Sequence, residues 1–335
     1  MENAGATLSW CDLGEPLAVT VSEGRGIEEQ CFITSPKIAW FDYAAHEIER
    51  HRLLSWALHA LGRWANSLGM GHQCVIANFP ISTNIWTPEQ LKRIPELCAR
   101  VIKAQPHRFI FVRNVQVQHH ADLLKQLKGF GFYALPARVV YEFDLRQGAN
   151  KKSSQLMRDM KGREKLDLQC EILSKLTSEE SQHLQMLYER IYILKHGPFN
   201  AKYTPCFFAD MVNEARMTCL VMKNAQGRIQ AFALLHQVGD TLTVPALGYD
   251  LGPVDLGLYR ALFVEIFRLT LRRGLLLNYS SGAGEFKRKR GGQPHLEYTL
   301  VKPPQSYFHW KARLLGCLEL WGSRLSHLDL IAWGA

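Results

Sequence analysis

The chain predicts an α/β protein of two lobes, with mixed, mostly antiparallel sheet flanked by helices, followed by a C-terminal helix. Three observations carry this. Between residues 44 and 145 apolar strand-like runs alternate with helical stripes. Across residues 218–249 three strand-like runs are joined at Asn224-Ala225-Gln226-Gly227 and Gly239-Asp240, turns too short for a crossover helix, so these strands must run antiparallel. An amphipathic helix over 258–273, stopped by Gly274, then feeds an apolar strand, a basic run and a last alternating strand.

A length of 335 residues suits two domains of average size. The best boundary is the polar break Gln147-Gly148-Ala149-Asn150, which divides the chain into 1–147, 148–303 and a helical extension, 304–335. Hydrophobic residues make up 47% and charged residues 21%, ordinary values for a chain with a substantial core. No apolar run reaches the roughly 18 residues of a membrane span, and the N-terminus lacks a signal peptide's basic and apolar regions, so a cytoplasmic protein is expected. The eight cysteines form no C-x-x-C pair and no cluster with histidine; they read as reduced thiols, mostly core, and no metal site is expected. A net charge of +9 favours anionic partners: phosphorylated cofactors, RNA or an anionic membrane face.

In order, residues up to about 29 form a lead-in strand or loop, with β character at 17–21. Residues 44–68 carry a broad apolar stripe (Ile48, Leu53, Leu54, Trp56, Ala57, Leu61, Trp64) ended by Gly69, the pattern of a packed helix. A strand at 75–79 precedes Thr87-Pro88-Glu89-Gln90, an N-cap with proline at the first helical position. A strand at 108–115, a helix at 119–127 and a strand pair over 134–145 complete the first lobe. Residues 151–164 then form a basic helix (Lys151, Lys152, Arg158, Lys161, Arg163), followed by a strand at 166–173. Thr177-Ser178-Glu179-Glu180 has capping-box chemistry for a helix to about 195, and another helix covers 207–214 before the meander. Past Pro303-Pro304 a helix covers about 308–328, apolar on a wide face; it suits core or homodimer packing, with a membrane-surface role as the alternative.

The densest chemistry lies in LLLNYSSGAGEFKRKRGGQPHLEYTLV, residues 275–301. Glycines Gly282, Gly284, Gly291 and Gly292 flank Lys287-Arg288-Lys289-Arg290, four adjacent cations that repel by roughly 1 kcal/mol per close pair even in water. A nuclear-localisation-like patch or a solvated turn would use such a run. Set between two apolar strands, it reads as an anion site.

The basic helix, the turn and strand NAQGRIQAFALLHQ, the segment LGLYRALFVEIFRLTLRRG and a Phe-Lys-x-x-x-Gly pattern (Phe286, Lys287, Gly291) together resemble the FemAB-like and BioF2-like branch of the Gcn5-related N-acyltransferase (GNAT) superfamily, over residues 151–301. The resemblance implies two acyl-CoA N-acyltransferase-like lobes, the first a degenerate half. It implies transfer of an acyl or aminoacyl group to a small-molecule amine from a polyanionic donor, with no tightly bound cofactor: acyl-CoA, an acyl-carrier protein or aminoacyl-tRNA serves as co-substrate. It puts Lys287 at the donor phosphate or developing oxyanion, where a cation lowers the barrier. Phe286 then walls the acceptor pocket with His236, and Gly257, Leu258, Tyr259, Gly282, Gly284 and Arg288 meet the donor. One departure is plain: where acetyl-CoA enzymes carry an Arg/Gln-x-x-Gly-x-Gly/Ala loop, residues 250–259 read DLGPVDLGLY, whose Asp250 and Asp255 oppose an anion and point to a larger donor.

An amine must lose a proton to react, and Tyr249 and Asp250 at the end of the third meander strand are the candidate bases, against a plain reading as strand-end polar residues. His236 and Glu297 carry the alternatives of a satisfied core histidine and an ion-pair partner. No H-E-x-x-H, no G-x-S-x-G and no cysteine beside a histidine supports metal or hydrolase chemistry, and no RNP-like motif or DNA-reading pattern appears. The competing function is a non-catalytic RNA- or nucleotide-binding protein on the same fold, using residues 151–165 and 287–290 as a phosphate surface.

Overall fold

The computed structural model describes residues 1–12, 16–24, 30–148, 153–252, 257–306 and 315–320. Strands β1 (Thr7–Asp12) and β2 (Pro16–Glu23) pair antiparallel, so the lead-in is two strands. A π-helical turn, Ile38–Tyr43, leads into α1 (Ala44–Glu47) and, after a break, α2 (Arg52–Ser67). Then follow β3 (His72–Ile76), α3 (Pro88–Ala104), β4 (Phe109–Gln116), α4 (Val117–Gly129) and β5 (Tyr133–Asp144). The second part runs α5 (Ser154–Glu164), β6 (Gln169–Leu173), α6 (Ser178–Tyr192), α7 (Pro205–Asn213), β7 (Thr218–Lys223), β8 (Ile229–Val238) and β9 (Thr241–Tyr249). It ends with α8 (Leu258–Arg273), β10 (Leu276–Asn278), α9 (Gly284–Arg288) and β11 (Gln293–Lys302).

Local chemistry explains the boundaries. The Thr87 hydroxyl accepts from the Gln90 amide while the Gln90 side chain accepts from the Thr87 N–H, and Thr177 and Glu180 do the same for α6; each such cap contributes about 1 kcal/mol. Gly274 closes α8 at φ 62°, a left-handed geometry that glycine adopts without steric cost.

The eleven strands among the described residues lie in one sheet, ordered β1-β2-β3-β4-β11-β5-β10-β9-β8-β7-β6. The β7–β8–β9 meander is antiparallel, as its turns require. Two neighbouring pairs, β3 with β4 and β9 with β10, are parallel. The last strand, β11, inserts antiparallel between β4 and β5, so the C-terminal part completes the sheet of the N-terminal part and neither strand is left with a bare edge there. Helices α5 and α8 cover one face of the second part, with Phe143, Leu235, Leu277, Phe263 and Tyr279 in the core between; α6 and α7 cover the other face. In the first part α3 and α4 cover one face, and Trp40, Phe41 and Ala65 lie against the other.

Three expectations change. The strand pair at 134–145 is the single long strand β5, because Ala137 is taken up as a bulge between Pro136 and Arg138, opposite Tyr298 and Glu297, and the chain continues without a turn. The helix expected over 44–68 is broken, and its apolar stripe is not packed: the buried residues of α2 are Ser55, Gly62 and Ala65, whereas Leu53 and Trp56 are 86% and 67% exposed. The basic run 287–290 is not a charged loop but the end of α9 and its C-terminal cap. Of the C-terminal helix, residues 315–320 are helical with Leu315 buried, and the rest, with Lys151, Lys152 and Asp255, lies outside the described residues.

Candidate functional site

The site begins where β9 and β10 part. They pair only over Leu276–Asn278 and Thr241–Thr243; β9 continues to Tyr249, while the other chain turns away at Ser280, held at φ 57°. Ala283 (φ 45°), Asn114 (φ 61°) and Ala77 (φ 55°) are further non-glycine residues in the left-handed region. Each such residue costs on the order of 1 kcal/mol and persists only where its surroundings impose it.

The turn is imposed by Lys287. Its side chain is 2% exposed, and its ammonium donates to the carbonyls of Tyr279 (2.7 Å), Ser280 (3.1 Å) and Ser281 (2.7 Å), using all three N–H bonds. The Tyr279 and Tyr141 rings lie 5.0 and 5.7 Å from it. Burial, reinforced by Arg138, pulls its pKa well below the usual lysine value. Lys287 is therefore not an exposed cation waiting for a phosphate: it is a clamp that fixes the loop leaving β10. Its neighbours divide by the helical period. Arg290 is buried against Asp159 of α5 (2.5 Å) and over the Phe286 ring (3.5 Å), Lys289 is exposed on Glu285 (2.6 Å), and Arg288 reaches the Tyr141 hydroxyl at 3.3 Å. Gly291, at φ 96°, closes the turn, with its N–H on the Arg288 carbonyl and that of Gly292 on Lys287. The Phe-Lys-x-x-x-Gly pattern thus encodes a clamped helix end.

Aromatic rings line the split on the α8 side. Tyr259 lies 4.8 Å from Phe286 and 5.8 Å from Tyr249, and Phe263 packs on Tyr279 at 5.2 Å. Burial pushes the Tyr259 phenol up to about 12 and holds those of Tyr279 and Tyr192 above the ordinary value. These phenols stay protonated at neutral pH, so each hydroxyl keeps a hydrogen to donate. Helix α8 begins here at Gly257 (φ 67°), with Leu258 buried in the core, so its N-terminal amides flank the split. Asp250 does not repel an anion as an unpaired charge, since it pairs with Arg190 at 3.0 Å. Gly284 is buried and Gly282 exposed, both in the loop that Lys287 shapes.

His236 does not join Phe286. Strand alternation puts its neighbour Leu235 in the core under α8 and turns His236 to the opposite face, where its ring meets the Arg216 carbonyl at 3.4 Å. On that same opposite face a polar row crosses the centre of the sheet. Glu297, 1% exposed, accepts from Arg138 (2.7 Å), Asn114 (3.0 Å) and Gln116 (3.3 Å); Arg138 also donates to Thr83, whose hydroxyl meets that of Ser280 at 2.9 Å. Four residues along β5 from Arg138, Glu142 receives Asn278 (3.4 Å) and faces His119 (3.0 Å) and His295 (3.7 Å). Glu142 pairs with Asn278, the last residue before the split, and its hydrogen bond raises the pKa of the half-exposed His119. This carboxylate-histidine pair could accept a proton at the mouth of the split. Sequence spacing hides it, because residues 142, 278 and 295 meet only through strand register and His119 joins them from the first turn of α4; the available signal was polar residues inside apolar strands. Among the described residues no group of three or more metal-ligating side chains is poised for an ion.

Solved structures share the architecture. L-PGS from Bacillus licheniformis superposes with a TM-score of 0.58 at 12% identity, covering 94% of this chain and 90% of that one. The C-terminal domain of a putative lysylphosphatidylglycerol synthetase from Agrobacterium fabrum gives 0.55 at 12% identity, covering 97% and 90%. FemX gives 0.52 at 10% identity, covering 98% and 92%. No protein-family model and no curated protein sequence matches the chain.

Proposed function

We propose that this chain, a GNAT-like fold with FemAB-like structural relatives, is an acyltransferase that moves an acyl or aminoacyl group from a polyanionic activated donor to an amine. The observation that carries the reading is the split between β9 and β10: a gap between parallel strands, held open by the buried Lys287 clamp, with the amide end of α8 at one face and Glu142–His119 at the other. Helix-terminal amides attract a phosphate, and the net charge of +9 raises the local concentration of a polyanion. The amine attacks the donor carbonyl and His119 takes the proton it loses, while phenolic donors such as Tyr259 face the developing oxyanion; the tetrahedral intermediate then collapses with cleavage of the carbon–sulfur or carbon–oxygen bond to the carrier, and the imidazolium returns that proton to the departing thiolate or alkoxide. Acyl-CoA, acyl-carrier protein and aminoacyl-tRNA all fit this donor class; the lysyl group in the name of one structural relative keeps aminoacyl donors in the panel.

The test is a melting-temperature screen against CoA thioesters, free CoA and aminoacyl-tRNA, followed by mass spectrometry of the amine acceptor for a new amide. A donor at 100 times its dissociation constant adds about 2.7 kcal/mol of stability. Binding should weaken steeply with salt. A specific observation favours a second reading: Lys161, Arg268 and Arg272 line a groove between α5 and α8, and although Glu164 pairs with Arg268 there at 3.0 Å, the excess of cations suits an RNA phosphate. Stabilisation by uncharged tRNA with no amide formed from any donor would replace the transferase reading by that one.

A further inference from the structure

Helix α2 is amphipathic in the inverted sense. With about 100° per residue, Leu53, Ala57, Ala60 and Trp64 form one line along the helix, with Leu54 and Leu61 on one flank and Trp56 on the other. Of these, Leu53, Leu54, Trp56, Leu61 and Trp64 are all exposed, while the helix meets the body of the protein through Ser55, Gly62 and Ala65. The border beside Trp56 is basic: Arg52, His59 and Arg63 share its stripe, Arg50 and His51 precede it, and Arg50, Arg52 and Arg63 are exposed. Glu49 is exposed next to Arg50, and Asp42 receives His59 at 3.7 Å.

We propose that α2 docks this protein on the surface of an anionic phospholipid bilayer, lying in the interface with its leucines and tryptophans among the acyl chains and its arginines on the headgroup phosphates. A helix with tryptophan and leucine on one side and arginine at the border has the chemistry of an interfacial anchor, and each cation near an anionic leaflet strengthens the attachment. Charge complementarity selects lipid over a second copy of this chain. A twofold contact through α2 would bring two arginine borders together on molecules of net charge +9, whereas an anionic surface satisfies both the apolar face and its rim. No helix among the described residues is long and apolar enough to cross a membrane, so this contact would be peripheral.

Flotation of the full chain with phosphatidylcholine vesicles, and with vesicles of equal parts phosphatidylcholine and phosphatidylglycerol, tests the proposal. The anionic vesicles should carry the protein at least tenfold better. The triple variant Leu53→Ser/Trp56→Ser/Trp64→Ser, and separately Arg52→Glu/Arg63→Glu, should each lower binding at least tenfold while far-ultraviolet circular dichroism and melting temperature match the parent. Ile172→Ser, an exposed apolar change on β6 at the far edge of the sheet, should leave binding unaltered. The proposal is overturned if the parent fails to float, as it would were the face covered by residues beyond 320. It is equally overturned if the α2 variants bind like the parent, or if they turn a dimer into a monomer without any lipid binding. The vesicles contain no donor, so either result leaves the transferase reading standing or falling on its own assay.

Discussion

The two parallel strand pairs, β3 with β4 and β9 with β10, make the same kind of opening in the two parts of the sheet and fill it in opposite ways. After Ile76 the first opening is sealed by hydrogen bonds. Trp86 donates to the Ala77 carbonyl (3.0 Å), Asn78 to Ile33 (2.7 Å), and Asn84 to Asn78 (2.8 Å) and Asn114 (3.3 Å). After Asn278 the second opening is lined by aromatic rings, and its buried Tyr279 hydroxyl makes no hydrogen bond of good geometry among the described residues, although the Tyr259 hydroxyl is close enough to perturb it. A polar plug with its partners satisfied fixes one structure, whereas a hydroxyl-rimmed aromatic slot can accept a ligand. The proposed transfer therefore uses the second opening, with the first as its scaffold.

The largest expected effect is at the clamp. Lys287→Ala leaves one buried and two partly buried carbonyls without their donor and should destabilise the fold by about 2–3 kcal/mol in urea denaturation, whereas Lys289→Ala, losing an exposed pair with Glu285, should stay within about 0.5 kcal/mol. Equal losses at the two positions would mean that the second opening is not clamped. Next is the network between the two parts: Glu297→Gln removes the charge facing Arg138 and should cost about 2–3 kcal/mol, visible as a lower urea midpoint. A neutral outcome would show the parts held together by β11 pairing alone.

Gly248 on β9 backs directly onto α6, where an added methyl group would meet the Leu187 and Tyr188 backbone at 2.7 and 2.8 Å. Gly248→Ala should therefore cost about 2 kcal/mol by pushing α6 off the sheet. An unchanged melting temperature would argue that the second part yields where the first is rigid.

Two adjacent histidines give a smaller, pH-dependent contrast. His120, whose Nδ1 accepts the Gln116 N–H at 3.1 Å, is pulled by burial down to about 4, so the unfolded chain takes up that proton first and stability should fall as pH drops from 6.5 to about 4. His119 is raised by Glu142; its contribution is complete below 6.5 and is lost as pH rises through the raised folded value. Urea midpoints across that range should lose the acid decline in His120→Gln and the alkaline decline in His119→Gln. If His119 is also the proton acceptor, turnover in His119→Gln should lose its acid limb while donor affinity holds. The smallest effect belongs to the scaffold: Gly129→Ala meets no atom within 4 Å at the end of α4 and should gain about 0.5 kcal/mol.

Residue order alone determined the elements whose signals are local. Threonine caps mark α3 and α6, two short turns force the antiparallel meander, and Gly274 stops α8, because each depends on neighbours within a few positions. The resemblance carried by Phe286, Lys287 and Gly291 likewise pointed to the fold that the solved structures share. Tertiary structure decided the rest. Four adjacent cations look alike in sequence, yet a helical turn sends Lys287 and Arg290 inward and Lys289 outward. An apolar stripe reads as core, yet α2 turns it to the outside because Ser55, Gly62 and Ala65 allow the closer approach on the other side. Glu142, Asn278 and His295 come together through the pairing of β5 with β10 and β11, a register set by hydrogen bonds between strands more than a hundred residues apart in the chain, and His119 reaches Glu142 from the start of α4, which follows β4 beside β11.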